Sequence, residues 1–516
     1  MRAMLVESGV ITHVGSEGDS KVVEARAQNA STIDLQNRIV LPGFIDGHMH
    51  LLMHGMSLTR CNVAECGSLE SIRTKITAYA QAHPDLPRIL CGGWQQYTTQ
   101  GLALASMLDG IDPRPIFVTA LDMHSTWCSE AALKALALDN VADPVGGKIH
   151  RDDAGAPSGL LGEAATLSIF WPYIARVTSI EAKLEAIDAA VVSYSAQGYT
   201  GVVEMAMDED AWEALQLLRS RKDLPVRIAA HWLIEPTKDR DRCLAQVDRA
   251  IALNQQFNAE LSPRCRIAGI KLICDGVVDS CTAALRSPYA DSNLSGDLLW
   301  TADLVSHVLQ RADAAGLQCA LHAIGDRAIK LAVDALEEVG SAGRRHRIEH
   351  LELASAEDAQ RLGKLGITAS VQPVHSDPAI TRAWPQLVGQ HRCERAFPYK
   401  EFVDNGAPLS FGSDSPTATH VVFDNLYSAT TRRSATEPEY KGILGKSEVL
   451  PLVTAVCAAT SGAAYSCFTE NDVGQLAIGY KADFVVVDMD WDPKTLLKSR
   501  VQQTWFEGTK VYNASL

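Results

Sequence analysis

Short apolar runs recur through the middle of the chain and alternate with stretches of helical periodicity. Eight of these runs have the length and the β-branched content of buried strands. Strands that alternate with helices favour a parallel sheet, and eight such pairs close a (β/α)8 barrel of the TIM type, an α/β fold. The eight predicted strands are FIDGHMHLL from Phe44, GYTGVVEM from Gly198, VRIAAHWLI from Val226, AGIKLICDG from Ala268, LQCALHAIGD from Leu317, HRIEHLE from His346, ITASVQP from Ile367 and PLSFGSD from Pro408.

The two ends of the chain show a different pattern, in which short β-branched runs lie between Gly, Asp and Asn turn signals. AMLVES and VITHVG begin the chain, and ADFVVVDMD and TWFEGTKVYN end it. We expect residues 1–41 and 474–516 to form one small composite β-sandwich and residues 42–473 to form the barrel domain. Residues 59–197 carry two further strand-like runs, RILCGGW and PIFVTALDMHSTW, and predict an insertion that caps the barrel mouth.

Charge and composition narrow the function classes. The 516 residues include 47 Lys and Arg against 62 Asp and Glu, a formal net charge of -15, which argues against nucleic-acid binding. The sequence has neither a secretory signal nor a long apolar run, so we expect a soluble, cytoplasmic protein without a membrane partner. Its 12 Cys form no CxxC pair, and Cys274, Cys319 and Cys457 lie in apolar runs typical of buried thiols.

Polar residues interrupt the predicted strands where a barrel places its functional groups. His48 and His50 end the first strand, and a period of two points both imidazoles to one side. An HxH pair alone is weak evidence, since 15 His in 516 residues give about 0.4 such pairs by chance. His322, His350 and Asp414 end three further strands, and together these nitrogen and oxygen donors suit Zn²⁺ or a similar cation.

Lys271 is a sixth candidate, because it lies inside the apolar run AGIKLICDG. A buried ammonium is costly unless it is paired or neutral, and a neutral lysine reacts with CO₂. The resulting carbamate is an anionic ligand able to bridge two metal ions. The alternatives are a lysine paired with Asp275 and a lysine that extends to the barrel rim.

The order of these motifs resembles the metal-dependent amidohydrolase superfamily. VLPGFIDGHMHLL, IKLICDGVVDSCTAAL, LHAIGDRAI, RIEHLE, ASVQP and FGSDSP look like the amidohydrolase family 3 branch, the YtcJ-like hydrolases, which includes N-substituted formamide deformylases. The resemblance covers essentially the whole chain. It departs at Gly47, where members of the branch usually carry Ser.

The resemblance implies a role for each candidate. His48 and His50 would bind one divalent metal ion, His322 and His350 a second one, and carboxylated Lys271 would bridge them. Asp414 would bind metal and act as the general base. One or two ions are compatible with the superfamily, with Zn²⁺ as the preferred candidate, and a homodimer is compatible as well.

The implied reaction is hydrolysis of a small molecule at a carbon–nitrogen bond, an amide or an N-formyl or N-acyl group, by metal-activated water. A deaminase, lactonase or decarboxylase on the same site remains an alternative, as does a catalytically inactive binding or regulatory homologue. His124, Trp94 and His375 are candidates for substrate contact, with Trp127 and Glu163 as weaker ones. Arg432 and Arg433 are interpreted as part of a solvated helix face.

Overall fold

The computed structural model describes residues 2–121, 123, 125–144, 147–163, 165–290 and 292–514. The chain divides into two compact units. The unit that we call the barrel unit contains the residues before Leu52, together with Val191–Trp212 and the chain from Arg219 onward. The other, which we call the inserted unit, contains Leu52–Ala190 and Glu213–Leu218. Strands and α-helices are numbered along the chain.

Eight parallel strands form the central sheet of the barrel unit, so the predicted α/β barrel fold is confirmed. Each strand is hydrogen-bonded to the next in sequence. Asp414 N donates to His48 O over 2.7 Å and His50 N donates to Ser415 O over 3.0 Å, which joins the last strand region to the first. The strands are β4 (Phe44–Met49), β11 (Tyr199–Met207), β12 (Arg227–Leu233), β13 (Cys265–Ile273), β14 (Gln318–Ala323), β15 (Arg347–His350), β16 (Thr368–Val371) and β17 (Leu409–Phe411).

Helices connect these strands and bury apolar stripes. In α10 (Asp326–Val339), Ala328, Ile329, Ala332, Val333 and Leu336 recur at helical spacing and are buried. The other helices are α1 (Ser20–Ala27), α2 (Leu51–Leu58), α3 (Leu69–Ala82), α4 (Glu130–Leu136), α5 (Trp171–Val177), α6 (Ile180–Ala196), α7 (Glu209–Arg221), α8 (Arg240–Gln256), α9 (Ala302–Ala314), α11 (Ala356–Leu365), α12 (Trp384–Leu387), α13 (Gln390–Cys393), α14 (Tyr399–Asp404), α15 (Val422–Thr431), α16 (Leu452–Ala458) and α17 (Ser461–Ser466).

The two chain ends meet in the barrel unit. Ala482 N donates to Gly9 O over 2.8 Å, and Ile11 shares an apolar core with Ala482, Phe484 and Val486. One sheet is the antiparallel pair β1 (Ala3–Glu7) and β2 (Val10–Gly15); the other has the order β20 (Thr509–Asn513), β19 (Arg500–Phe506), β18 (Phe484–Asp488) and β3 (Ile39–Pro42). The polar segment after β2 contains helix α1, which its composition did not predict.

The inserted unit has a mixed sheet of its own. The two strand-like runs predicted there correspond to β6 (Ile89–Trp94) and to β7 (Ile116–Ala120) with β8 (Ser125–Cys128). The first three strands of the sheet are parallel and the others antiparallel. The sheet has the order β5 (Cys61–Asn62), β6 (Ile89–Trp94), β7 (Ile116–Ala120), β8 (Ser125–Cys128), β10 (Pro157–Glu163) and β9 (Gly147–Arg151).

Burial departs from the sequence-based expectation at two residues. Cys274 and Cys319 are buried free thiols as predicted, but Cys457 is exposed, because it points away from the buried face of α16. Arg432 is fully buried rather than solvated, and it donates to Leu444 O and Ala396 O, whereas Arg433 is exposed. Within the described chain, we find no helix with the length and apolar content to cross a membrane.

Candidate metal centre

The predicted ligands lie at the C-terminal ends of the barrel strands. His48 is in β4 and His50 follows it, Lys271 is in β13, His322 in β14 and His350 at the end of β15. Asp414 follows β17. His350 and Asp414 adopt positive φ angles of 76° and 55°. Such angles cost about 1–3 kcal/mol each for residues other than glycine, so the surrounding fold holds both side chains in place.

Asp414 is the centre of the first cluster. Its Oδ1 lies 3.0 Å from His50 Nε2 and 3.3 Å from His48 Nε2. His48, His350 and Asp414 each offer one ligand atom, and these three atoms lie within 4.8 Å of one another. We call His48, His50, His350 and Asp414 the Asp414 cluster.

The spacing of these donor atoms fits a divalent cation. Ligands at about 2.1 Å from a tetrahedral ion are separated from each other by about 3.4 Å. The two His–Asp414 distances of 3.0 and 3.3 Å are close to that value. Imidazole nitrogens with a carboxylate oxygen form a donor set suited to Zn²⁺. The Asp414 cluster could therefore hold a metal ion.

Charge around Asp414 favours its ionised form. Burial by itself would raise the pKa of this carboxyl, but His48, His50 and His350 hold the pKa well below its usual range. His350 is also buried, and burial together with the neighbouring His322 lowers the pKa of its imidazole. A neutral imidazole beside an ionised carboxylate is the protonation state that binds a cation.

Lys271 is buried without a pairing partner. Only 2% of it is exposed, and its Nζ has no hydrogen-bond partner within the described residues. Burial lowers the pKa of the amine to about 8, although Glu349 and Asp414 act in the opposite direction. Asp275, the alternative partner, instead accepts backbone N–H groups of Ala284, Ile324 and Gly325. The lowered pKa increases the fraction of Lys271 that is uncharged near neutral pH.

His322 lies beside His350 rather than at the centre of the Asp414 cluster. The two ring centroids are 4.4 Å apart. His322 Nε2 is 3.6 Å from Asp275 Oδ1 and 3.5 Å from Gly276 O. The structure thus brings His322 to the same strand ends, next to the residue with which the resemblance pairs it.

A buried ion pair behind His48 is the main feature that sequence reasoning missed. Glu349 Oε2 lies 2.7 Å from His48 Nδ1, and Arg347 Nε donates to Glu349 Oε1 over 2.6 Å. Burial would raise the pKa of Glu349, but Arg347 and His48 hold it well below its usual range. An ionised Glu349 makes Nδ1 the protonated nitrogen, so Nε2 faces Asp414 with its lone pair. The available signal was the pair Arg347 and Glu349, at a spacing of two in the predicted strand HRIEHLE.

Glu204 is a second residue that the sequence did not single out. It lies in β11, is 5% exposed and accepts a hydrogen bond from Leu51 N. Its Oε1 is 4.0 Å from His50 Nδ1. Burial raises the pKa of Glu204 to about 7, against the influence of His50. Glu204 therefore lies next to His50 as Glu349 lies next to His48, but the Glu204–His50 distance is the longer of the two.

The candidates for substrate contact lie in different places. His375 Nε2 is 3.6 Å from Asp414 Oδ2, which puts His375 beside the Asp414 cluster. Trp94 is 1% exposed in the apolar core of the inserted unit, with its ring 5.5 Å from that of Trp127. His124 lies outside the described residues, and Glu163 ends β10. Substrate contact by these residues stays a prediction.

Close packing explains why residue 47 is a glycine rather than a serine. A Cβ atom at this position would lie 2.3 Å from Ser410 Oγ and 2.7 Å from Phe411 O. In addition, the carbonyl of Gly47 accepts a hydrogen bond from Arg347 Nη2 over 2.5 Å. A serine here would therefore displace β17, and the departure from the usual branch pattern is compatible with the rest of the site.

A protein-family comparison matches residues 31–512 to a model described as the amidohydrolase family. The Arabidopsis thaliana protein LONG AFTER FAR-RED 3 is 28% identical, over 99% of this chain and 88% of its own. The putative amidohydrolase YtcJ of Bacillus subtilis is 28% identical, over 99% and 96%. The N-substituted formamide deformylase of Arthrobacter pascens is 24% identical, over 99% and 95%.

A solved structure has a similar fold over nearly the whole chain. An uncharacterized metal-dependent hydrolase from Pyrococcus horikoshii superposes with a TM-score of 0.76 and 25% sequence identity, covering 99% of this chain and 95% of that one. The coverage extends over both chain ends, so the likeness includes the terminal sheets as well as the barrel.

Proposed function

The chain belongs to the amidohydrolase family, and from that premise we propose that it hydrolyses a carbon–nitrogen bond of a small molecule, an amide or an N-formyl or N-acyl amine. The family and the metal-dependent hydrolase of similar structure support the coarser class, a metal-dependent hydrolase. The finer choice of bond is supported by the deformylase relative. The observation that carries the proposal is the Asp414 cluster, with its donor atoms at the spacing that a shared cation requires.

In the proposed mechanism, His48, His50, His350 and Asp414 would hold the cation, which would supply Lewis-acid chemistry: a more acidic water and a polarised substrate carbonyl. Asp414 accepts a proton from the attacking water and returns it to the leaving nitrogen. Glu349 fixes the tautomer of His48, and Arg347 fixes Glu349. Zn²⁺ is the cation that we propose, given the nitrogen and oxygen donors.

We also propose that Lys271 is carboxylated. The uncharged Nζ attacks the carbon of CO₂, an N–C bond forms while one C=O π bond opens onto oxygen, and an N–H proton leaves to solvent; the product is an anionic carbamate, which could bind metal. The support is the buried amine, which has no hydrogen-bond partner among the described residues and whose pKa is lowered to about 8 by burial.

Bicarbonate dependence tests this modification. Metal-stripped protein should recover activity several-fold faster when Zn²⁺ is added with bicarbonate than when it is added to CO₂-free buffer. The intact mass measured without acid should exceed the sequence mass by one CO₂. Equal recovery in both buffers, with an unmodified mass, would mean that Lys271 acts as a plain amine.

The substrate class is tested with a panel of N-formyl and N-acyl amines, followed by amine release and by elemental analysis of the same preparation. We expect amine release that disappears on chelation and returns with Zn²⁺. Release of ammonia from a ring, of acid from a lactone or of CO₂ would assign one of the alternative reactions. Full metal occupancy with no turnover on any of these substrates would favour the regulatory homologue.

The cytoplasmic location and the homodimer remain predictions. Light scattering of the purified chain measures the second of these directly.

A further inference from the structure

Two cysteines of the inserted unit lie directly opposite each other in its sheet. Cys61 is in β5 and Cys91 is in β6, and the register of these parallel strands pairs the two residues. Both belong to one apolar core, so their side chains point to the same face of the sheet. Neighbouring strands lie about 4.7–4.9 Å apart, within the roughly 4.4–6.8 Å that a disulfide spans between Cα atoms. The register therefore places the two thiols where one S–S bond could join them.

The groups around the pair make the two thiols unequal. A hydrogen bond from Cys91 lowers the pKa of Cys61 against the effect of burial, and Lys75 lowers it further. Burial and the neighbouring Cys61 raise the pKa of Cys91 well above its usual value, whereas Arg60 acts in the opposite direction. Tyr79 also lies close to both thiols, and burial raises the pKa of its phenol. Cys61 is thus the thiol that ionises first, and Cys91 is its hydrogen-bond donor.

Arg60 supplies an independent observation. It is 9% exposed, and its Nε and Nη2 have no hydrogen-bond partner within the described residues. Its guanidinium lies 5.0 Å from the centre of the Trp171 ring, and burial lowers its pKa to about 10. A buried cation is costly unless an anion compensates it. An ionised Cys91 acts on Arg60 against the effect of burial, so a thiolate there would supply that anion.

Burial restricts which reagents can reach the pair, since only 3% of Cys61 and 1% of Cys91 is exposed. Strand β5 has two residues and lies at the edge of its sheet, so few backbone hydrogen bonds hold it. Elements of this kind open locally at a lower free energy than the centre of a sheet. A small uncharged oxidant such as hydrogen peroxide therefore suits this pair.

We propose that Cys61 and Cys91 form a reversible disulfide on exposure to hydrogen peroxide, and that this bond fastens β5 to β6. The Cys61 thiolate attacks one peroxide oxygen: an S–O bond forms, the O–O bond breaks, and the departing oxygen takes a proton and leaves as water. The Cys91 sulfur then attacks the Cys61 sulfur: an S–S bond forms, the S–O bond breaks, and the thiol proton leaves with the oxygen as a second water. The two thiols lose two electrons, and the peroxide gains them.

Arg60 is a positioning residue in this step, because its charge stabilises the Cys91 thiolate as it attacks. A small thiol reverses the reaction by thiol–disulfide exchange, as expected of a disulfide in a reducing compartment. The inference does not depend on the proposed hydrolysis, so either one can fail while the other stands.

The test treats the folded, reduced protein with hydrogen peroxide, blocks the remaining thiols with N-ethylmaleimide in denaturant, and maps the peptides by mass spectrometry without reduction. The variants are Cys61→Ser and Cys91→Ser. Cys128→Ser is a matched control, because Cys128 is also buried in the sheet of the inserted unit but is paired with Phe117 in β7. Circular dichroism and thermal unfolding establish that each variant is folded.

We expect the wild-type protein and Cys128→Ser to lose about 2 Da and to yield linked peptides that contain residues 61 and 91. Dithiothreitol should reverse this change. Cys61→Ser and Cys91→Ser should not form the link, and Cys91→Ser should retain a sulfenic acid at Cys61 that dimedone traps. Arg60→Met should slow the link several-fold and move its pH profile to higher pH, and Arg60→Lys should restore part of the rate.

Three results would overturn the inference. One is the absence of the link in the folded wild-type protein after an excess of peroxide. Another is a link that forms only once the protein is unfolded in urea, which would mean that the native register keeps the two sulfurs apart. The third is a disulfide that persists in both Cys61→Ser and Cys91→Ser.

Discussion

Ionisable groups are buried at both ends of the barrel, but the contacts that they make differ between the two ends. At the N-terminal ends of the strands, Arg227 contacts Asp483 and Glu507. His346 is likewise satisfied on both nitrogens, by Asp313 Oδ1 at 3.0 Å and by the N–H of Cys319 at 3.0 Å.

At the C-terminal ends the pattern is different. Lys271 Nζ and His350 Nδ1 are buried and have no hydrogen-bond partner among the described residues. The contacts of His375 are 3.4 and 3.6 Å long. Buried polar groups are normally satisfied, so a concentration of unsatisfied ones indicates a place that a ligand completes. We therefore expect a ligand to bind at the C-terminal ends of the strands rather than at the N-terminal ends.

Asp414→Asn should have the largest effect, a loss of catalytic activity. Asparagine keeps the shape and one oxygen for the metal but cannot accept the proton, so kcat should fall by about 10²–10⁴ with near-normal metal content. Steady-state kinetics on metal-quantified protein measure this. Asp313→Asn, the matched change at the paired end, should leave kcat unchanged. Near-normal turnover of Asp414→Asn at full occupancy would move the proton shuttle elsewhere.

Lys271→Met should stabilise the metal-free, CO₂-free protein. The pKa of Lys271 is about 8 in the folded state against 10.5 for an ordinary lysine, so the charged form is penalised by folding. At pH 7 the variant should be more stable by about 3 kcal/mol. Between pH 8 and 10.5 the unfolded wild-type chain binds more protons than the folded one. The stability of the wild type therefore rises with pH in this range, and the advantage of Lys271→Met disappears.

Denaturant unfolding at several pH values measures this advantage. Lys330→Met is the control, since Lys330 is half exposed and pairs with Asp334. An advantage of Lys271→Met that does not change with pH would contradict a buried lysine with a lowered pKa.

Glu349→Gln should weaken zinc binding by about 10–100-fold, because His48 loses the carboxylate that fixes its tautomer. Competition with a chelator measures this affinity. Asp313→Asn removes the carboxylate partner of His346 at the other end and should lower only the stability. Equal zinc affinities of the two variants would mean that Glu349 merely balances the charge of Arg347.

Substitutions in exposed ion pairs should have the smallest effect, a small change in the free energy of unfolding. Lys330 and Asp334 pair over 2.7 Å on α10, with 48% and 46% of their side chains exposed. Lys330→Ala should change the free energy of unfolding by less than about 0.5 kcal/mol, because solvent screens the pair. Denaturant unfolding measures this change, and a loss above about 1 kcal/mol would show that exposure is a poor guide to the energetics of this barrel.

The barrel itself was predictable because its signals are local. Each of the eight strands can be identified within ten residues of sequence, and the period of two places His48 and His50 on one side. Strand ends in a parallel barrel share one face, so the sequence also brings His322, His350 and Asp414 together. Helix α1 was missed because its apolar residues show little helical periodicity, and only Val22 is buried.

The partners of these residues depended on contacts between distant parts of the chain. His48 and Glu349 are 301 positions apart, and Asp414 places Oδ1 3.0 Å from His50 Nε2 and Oδ2 3.6 Å from His375 Nε2. Arg432 is buried because Leu444 and Ala396 offer it carbonyl oxygens. Sequence alone determined the residue types and the strand ends on which they lie, because both follow from local periodicity. Only the tertiary structure decided which of these groups are paired and which are left without a partner, because burial and hydrogen bonding depend on side chains brought together from remote segments.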